Sequence, residues 1–307
     1  MKSLTVATRG GALALAQTRH VIATLKKIYP GLEIGIKEIT TTGDKDRRTA
    51  LWTLKETGFF TSQVEDALTA YEADFAVHSF KDLPTAQREG LIIGAVFDRN
   101  FVEDCLVTKQ PVDSIDQLPA NANIGTSSLR RIAQLKHLRA DLILAPIRGN
   151  VQTRLRKLDE GQFDAILLAR AGLERLGLAG RISLIFNPAV FIPAPAQGAL
   201  GIQTRADDDE TNEIIATIDD KNARTTTAAE RKILTTMQCG CHAPVGAYAE
   251  IDGGDIHISA FISDLQGENF IRREHTGPAK DAEKLAQNIA KELLKAGGKE
   301  ILESLEK

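Results

Sequence analysis

The sequence predicts an α/β protein of more than one domain that ends in a separate α+β unit. Three observations carry this reading. Strand-like and helix-like segments alternate through the first two-thirds of the chain. The last third changes to a run of strands closed by a helix. Basic residues recur just beyond the predicted strands.

The elements follow in order. Residues 4–8 read as a strand. Residues 12–28 read as a helix with Leu13, Val21, Leu25 and Ile28 on one face. Pro30-Gly31 ends that helix, and residues 32–40 alternate as a strand. Short apolar runs at 73–79, 91–97, 142–147 and 165–169 continue the rhythm, with 123–128 as a further strand, and predict mainly parallel strands. Residues 222–236 read as a helix. Residues 247–251, 255–263 and 269–276 then read as a three-strand meander, with turns at Asp252-Gly253-Gly254 and Gln266-Gly267. Residues 280–296 close the chain as an amphipathic helix, and no internal repeat or low-complexity tract is visible.

Composition narrows the class. A chain of 307 residues exceeds one typical domain and suits two or three. Hydrophobic residues at 43% and charged residues at 26% are ordinary for a soluble globular protein. Three cysteines, an odd and small number, imply no disulfide framework and point to a reducing, cytoplasmic setting. The run from Met1 to Thr8, followed by Arg9, lacks a signal-peptide core and cleavage site. No stretch approaches the roughly 20 apolar residues of a membrane span. A net charge of −3 carries no bulk signature of nucleic-acid binding. The expectation is a protein with neither a membrane nor a nucleic-acid partner.

Local charge says more. Arg9 follows the first strand and Lys81 the run 73–79. Arg130 and Arg131 follow 123–128, where Thr126, Ser127 and Ser128 are placed to cap a helix. Arg148 follows 142–147, Arg154 lies on the next helix, and Arg170 follows 165–169. Open α/β sheets bind ligands beyond the carboxyl ends of their strands, where helix N-termini offer free N–H groups. Arginine adds a fork suited to carboxylates. Recurrence at strand ends implies a ligand with several negative charges; scattered surface charge is the competing account. Asp82, directly after Lys81, places one carboxylate among these cations, where it can stabilise a cation that develops during reaction. The competing account is a simple Lys81–Asp82 surface pair, worth under about 1 kcal/mol. His78 reads as a buried, hydrogen-bonded histidine rather than a catalyst, and Cys105 as a packing residue.

These residues lie in eight ordered stretches: Val6-Ala7-Thr8-Arg9; Thr41-Thr42-Gly43-Asp44; Ala76-Val77-His78-Ser79-Phe80-Lys81-Asp82-Leu83-Pro84; Gly125-Thr126-Ser127-Ser128-Leu129-Arg130-Arg131; Arg148-Gly149-Asn150-Val151-Gln152-Thr153-Arg154-Leu155; Ala171-Gly172-Leu173-Glu174-Arg175-Leu176-Gly177; Gln197-Gly198-Ala199-Leu200-Gly201; and Gly240-Cys241-His242-Ala243-Pro244-Val245-Gly246. Over essentially its whole length the sequence resembles the porphobilinogen deaminase (hydroxymethylbilane synthase) family. The resemblance implies two α/β domains, similar to periplasmic binding proteins, facing a cleft, and a small C-terminal α+β domain. The implied boundaries are 1–98 with 199–217, then 103–193, then 221–307. It implies a transferase of haem biosynthesis that condenses four porphobilinogen molecules head to tail, releasing ammonia, to give hydroxymethylbilane. A monomer is implied, with no metal.

The resemblance also implies roles. Cys241 matches the cysteine that carries one dipyrromethane cofactor per chain through a thioether, chemistry suited to a thiolate. Asp82 matches the catalytic aspartate. Ser79, Lys81, Asp82, Thr126, Ser127, Ser128, Arg130, Arg131, Gly149 and Asn150 match cofactor-binding positions. Arg9, Gln17, Phe60, Arg148, Arg154, Arg175 and Gln197 match substrate-binding positions. A chain of six pyrroles would carry about twelve negative charges, so many cations are needed. Cys239 competes with Cys241 as the attachment point, and Cys239, Cys241 and His242 together leave a metal site as an alternative.

Some positions depart from the family pattern. Gly10-Gly11-Ala12 replaces a stretch that commonly carries Ser-Pro. Both lysines of the loop around Phe59-Phe60 are absent, with Thr57, Ser62 and Gln63 nearby. Ala196 stands for a glycine, Gln203 and Thr204 for Glu and Cys, and Arg170 for a small or aliphatic residue. Arg170 is expected either to replace a lost cation or to crowd the ligand. A divergent paralogue, non-catalytic or of altered chain length, is the alternative function, and a non-catalytic anion-binding module a further one.

Overall fold

The structure is a computed structural model that describes residues 3–41, 61–239 and 243–305. In chain order it begins with β1 (Ser3–Arg9), α1 (Ala12–Ile28), β2 (Glu33–Ile39), α2 (Ser62–Thr69), β3 (Phe75–Ser79) and β4 (Leu91–Phe97). Next come β5 (Asp104–Thr108), β6 (Asn123–Gly125), α3 (Leu129–Leu138), β7 (Ile143–Ala145), α4 (Val151–Asp159), β8 (Ala165–Ala169), α5 (Arg170–Arg175) and β9 (Leu184–Ile185). They are followed by β10 (Leu200–Arg205), α6 (Asp209–Ala216) and α7 (Lys221–Thr236). The chain closes with β11 (Val245–Asp252), β12 (Asp255–Ile262), β13 (Ile271–Pro278), α8 (Ala282–Leu293) and α9 (Lys299–Leu305).

Two compact units result, Met1–Asn100 with Gly198–Arg224, and Phe101–Gln197 with Thr225–Lys307. The first holds a five-stranded sheet in the order β2-β1-β3-β10-β4. β1 pairs parallel with β2 and β3, while β10 runs antiparallel to both β3 and β4. Four strands therefore point one way and β10 the other. The second unit holds a sheet of the same plan, β7-β6-β8-β5-β9, in which β5 is the reversed strand. Mainly parallel strands are thus what each sheet shows. The reversed strand in each, β5 or β10, had no counterpart among the predicted elements.

Both faces of each α/β sheet are covered, which is why their strands read as short, nearly continuous apolar runs. In the first, Leu4, Val6, Phe75, Val77 and Ile202 pack with Val21 and Leu25 of α1. On the other face, Ala7 and Ala76 pack with Val64 and Leu68 of α2. The predicted α1 face is corrected at one end: Gln17, Thr18, Val21 and Leu25 are buried, whereas Ile28 is exposed in the last turn beside Lys26 and Lys27. Basic residues there oppose the negative end of the helix dipole.

The C-terminal α+β domain is the predicted meander, with β11-β12-β13 in order. Gly253 and Gly254 both have positive φ, as a two-residue hairpin turn between Asp252 and Asp255 requires. Ala282, Ala286, Ile289, Ala290 and Leu293 of α8 cover it at helical spacing. The closing helix is α-helical to Leu293 and continues as a wider π-helical turn, Leu294–Gly298, in which Gly297, at φ 117°, makes the kink before α9.

Candidate active site

The predicted strand-end residues do stand at the carboxyl ends of parallel strands. Arg9 is the last residue of β1, and Ser79 the last of β3. Phe80–Asp82 makes a single turn beyond β3. That turn is anchored on both sides of its charges. Phe80 and Leu83 are buried, and the Phe80 amide donates to Ala199 O at 3.0 Å. A Cβ at Gly201 would lie 2.8 Å from Phe80 Cδ2, so glycine there lets the ring seat against β10. Lys81 is half-buried and Asp82 exposed between those two anchors. Among the described residues Asp82 has no ion pair or hydrogen bond, so the simple Lys81–Asp82 pair is not seen. Gln17 and Ser79 meet side chain to side chain, Gln17 Nε2 donating to Ser79 Oγ at 2.9 Å.

His78 is buried on the opposite face of β3 from Ser79. Burial lowers its pKa to about 4, and the positive charge of Arg9 adds to this, while Gln203 opposes it. Its burial is as expected; Nε2 lies off hydrogen-bonding geometry among the described residues, while Gln203 is the side chain that acts on the ring as a hydrogen-bonding neighbour. Gln203 Nε2 donates to Glu65 Oε1 at 3.0 Å.

In the second unit the arginines divide. Arg130 and Arg131 open α3 but turn inward, and both are nearly buried. Arg130 Nη1 donates to Asp104 Oδ2 at 2.7 Å and to Ile192 O at 2.7 Å. Arg131 donates through Nε at 3.0 Å and Nη2 at 2.7 Å to Asp104 Oδ1, and through Nη1 to Leu167 O at 3.0 Å. Burial alone would raise the Asp104 pKa; the two facing guanidiniums overcome this and hold it below the usual carboxylate range. Gln197, expected at the substrate, also turns to this carboxylate, donating to Asp104 Oδ1 at 3.1 Å and Val102 O at 2.8 Å. Asp104 escaped the sequence reading. Its one local signal is a carboxylate placed directly before the apolar run Cys105-Leu106-Val107.

The hydroxyls are also committed. Ser127 Oγ donates to Ile147 O at 2.8 Å and accepts from the Ile147 amide at 3.0 Å, tying β6 to β7. Thr126 is buried, and its Oγ1 accepts from the Ser128 amide at 3.3 Å. Ser128 stands at the N-cap of α3 but makes no side-chain cap bond, so the predicted capping is not made. Asn150 caps α4 instead, its Oδ1 accepting from the Thr153 amide at 2.9 Å. A Cβ at Gly149, whose φ is 113°, would lie 2.6 Å from Thr153 Cγ2, so this turn excludes a side chain. Arg154 Nε donates to Gly149 O at 2.8 Å, which fixes Arg154 against its own loop. Arg148 is half-buried, and its side chain has no partner among the described residues. Arg175 ends α5 and is half-buried.

Arg170 is engaged by neighbours within its own unit. It pairs with Glu103 at 3.1 Å and Glu174 at 2.9 Å, and lies 4.6 Å over the Phe101 ring. The Gly10-Gly11 departure leaves α1 without a side-chain cap. Ser62 and Gln63 open α2. Thr57, Phe60, Cys241 and His242 lie outside the described residues. Cys105 is buried with its thiol pushed up to about 12, chiefly by burial, which suits packing rather than nucleophilic chemistry. Among the described residues no group of acidic, histidine or cysteine side chains is arranged to hold a metal, and no helix is long and apolar enough to cross a membrane.

Known proteins align with this arrangement along the chain. Residues 4–213 match a family model described as porphobilinogen deaminase, dipyromethane cofactor binding domain, and residues 224–295 match the porphobilinogen deaminase C-terminal domain. A porphobilinogen deaminase of Desulforudis audaxviator is 46% identical over 301 residues, covering 98% of this chain and 97% of the relative. Another from Chlorobium phaeovibrioides is 44% identical over 311 residues, covering 100% and 99%. Among solved structures, the methionine binding protein MetQ aligns at a TM-score of 0.43 and 13% identity, covering 70% of this chain and 89% of that one. With near-complete coverage at this identity, the chain belongs to the porphobilinogen deaminase family and is an enzyme.

Proposed function

We propose that Asp82 is the catalytic carboxylate of this enzyme and that Cys241 carries its dipyrromethane through a thioether, one per chain. As a member of its family, the chain is a transferase of tetrapyrrole biosynthesis that condenses porphobilinogen into hydroxymethylbilane, and its cofactor is of the dipyrromethane type. The observation that carries the assignment of Asp82 is its presentation. An exposed carboxylate with no partner among the described residues is held on a short turn between the buried Phe80 and Leu83.

Breaking the substrate's aminomethyl C–N bond sends its electron pair away with ammonia and leaves positive charge on the pyrrole. Asp82, with no counter-ion of its own, is the group that stabilises this charge. Dipyrromethane, when bound, supplies the free α-carbon to which the first substrate unit is joined. The residues present fit such an anionic group: Asp104 offsets only one of the two charges of Arg130 and Arg131, and the Arg148 side chain has no partner among the described residues. Arg9, Lys81, Arg154 and Arg175 serve the remaining carboxylates. Gln17 sets the Ser79 hydroxyl, while Ser127, Asn150 and Gly149 shape the turns that carry the cations.

The three-domain division at 1–98 with 199–217, 103–193 and 221–307, a monomeric state and a cytoplasmic location belong to the same reading. The intact mass of the purified protein, with peptide mapping, tests it. An excess equal to one dipyrromethane on Cys241, absent from Cys241→Ser, is expected. Asp82→Asn is expected to keep the adduct but lose turnover. An unmodified chain after incubation with porphobilinogen, or normal turnover by Asp82→Asn, overturns the respective assignment.

A further inference from the structure

Arg130 and Arg131 are neighbours in sequence but not equals in structure. Every nitrogen of the Arg131 guanidinium is engaged, two with Asp104 and one with Leu167 O. Arg130 commits only Nη1, which it shares between Asp104 Oδ2 and Ile192 O. Its Nε and Nη2 form the side edge that matches a carboxylate, and they have no partner among the described residues. Two guanidiniums facing one carboxylate leave a net positive charge in a nearly dry place, since Arg130 is 5%, Arg131 6% and Asp104 0% exposed. Such a charge calls for an anionic counterpart.

The frame behind Arg130 is fixed from several sides. Gln134 donates to Ile192 O at 3.0 Å and accepts from the Ile192 amide at 2.6 Å, so the carbonyl that Arg130 grips is itself clamped. Gln197 and Arg131 hold Asp104 Oδ1, which leaves Oδ2 for Arg130 alone among the donors.

We propose that Asp104 is a positioning residue for the reaction: it grips Arg130 by one nitrogen so that the opposite edge is held ready for a pyrrole carboxylate. This rests on the reading of the site given above. Asp104 acts through Arg130 and does not touch the ligand.

The test compares wild type, Asp104→Asn and Asp104→Glu by primer content, KM and kcat per primer-loaded chain. Asp104→Glu keeps the charge but moves the carboxylate by one methylene. Positioning predicts a KM at least about tenfold higher in Asp104→Glu, with kcat within about threefold, because uniform ligand binding is lost. Asp104→Asn is expected to raise KM as well, although removing the carboxylate makes the site more positive. A purely structural or charge-balancing role predicts otherwise: fewer folded chains, with an unchanged KM in Asp104→Glu or a lower one in Asp104→Asn. Either result overturns the proposal. If neither variant folds, a crystal structure of the primer-loaded wild type decides. Arg130 should keep Asp104 on Nη1 and hold a carboxylate on Nε and Nη2; an Arg130 that has left Asp104 overturns the role. A wild type that takes up no primer and turns over nothing sinks the underlying reading and this proposal with it. A wild type that does both while Asp104→Glu matches it sinks only the role of Asp104.

Discussion

Arg131 meets Asp104 through two nitrogens on one oxygen, Nε at 3.0 Å and Nη2 at 2.7 Å from Oδ1, at a carboxylate with no solvent exposure. A lysine there keeps the charge but offers one point instead of a planar fork, and it leaves Leu167 O short of its donor. Arg131→Lys should therefore lower unfolding stability by about 1–3 kcal/mol, the range for a buried hydrogen-bonding group left unsatisfied. Urea midpoints measure this. A change under about 0.5 kcal/mol would mean that the fork adds nothing beyond its charge.

The strand ends of the site were legible in the sequence because buried parallel strands are short apolar runs, and the residues that follow them are fixed by chain order. Arg9, Ser79 and Arg148 fall where those runs stop. What Arg130 and Arg131 do there was not legible. Their partner, Asp104, is more than 25 residues away in sequence and lies on a strand reversed against its neighbours. An Asp-Cys-Leu-Val run carries no mark of its pairing direction. Likewise Ile28 fits an apolar face by spacing, yet it is exposed in the last turn of α1. The identity of Cys241 as the attachment point comes from its sequence frame alone.

Ala196 has a φ of 62°, the left-handed region, and is fully buried with its amide donating to Glu230 Oε2 at 2.7 Å. This explains why a glycine is the usual residue there: an alanine adopts this backbone at a cost of about 1–2 kcal/mol. Ala196→Gly relieves that cost but adds freedom to the unfolded chain, worth about 0.4–1 kcal/mol the other way. The net expectation is a stabilisation of up to about 1 kcal/mol, seen as a rise in Tm of a few degrees. A lower Tm would show that the turn at Ala196 is not strained.

Arg170 is held by two carboxylates and an aromatic ring, all within its own unit. Arg170→Leu should cost about 1–2 kcal/mol of stability, because Glu103 and Glu174 lose their counter-ion, and Glu103 is only partly exposed. KM should not move. Arg148→Leu should do the reverse, raising KM severalfold with little loss of stability, since that side chain has no partner among the described residues. Steady-state kinetics and urea melts of the two variants separate the roles. A raised KM in Arg170→Leu would place that guanidinium at the ligand after all.

His78 makes stability depend on pH in a defined window. Its pKa is lowered from 6.5 to about 4 in the folded chain, chiefly by burial, against an opposing hydrogen-bonding effect of Gln203 and with a lesser lowering by the Arg9 charge. Between those values the unfolded chain binds a proton that the folded chain refuses, so stability rises with pH across the window and falls as the pH is lowered through it. At about 1.4 kcal/mol per pH unit, the loss from pH 6.5 to 4 is about 3 kcal/mol. Asp104 shifts in the same sense but over a lower window: its contribution persists above about 4 and is lost only as the pH falls further toward its depressed folded value. The window from 4 to 6.5 therefore belongs to His78 rather than to Asp104. Urea midpoints at pH 4.5, 5.5 and 7 for wild type and His78→Asn give the comparison, the variant sharing every other titrating group. The wild-type curve should fall more steeply on acidification. Parallel curves would mean that His78 accepts its proton in the folded state as readily as in the unfolded one.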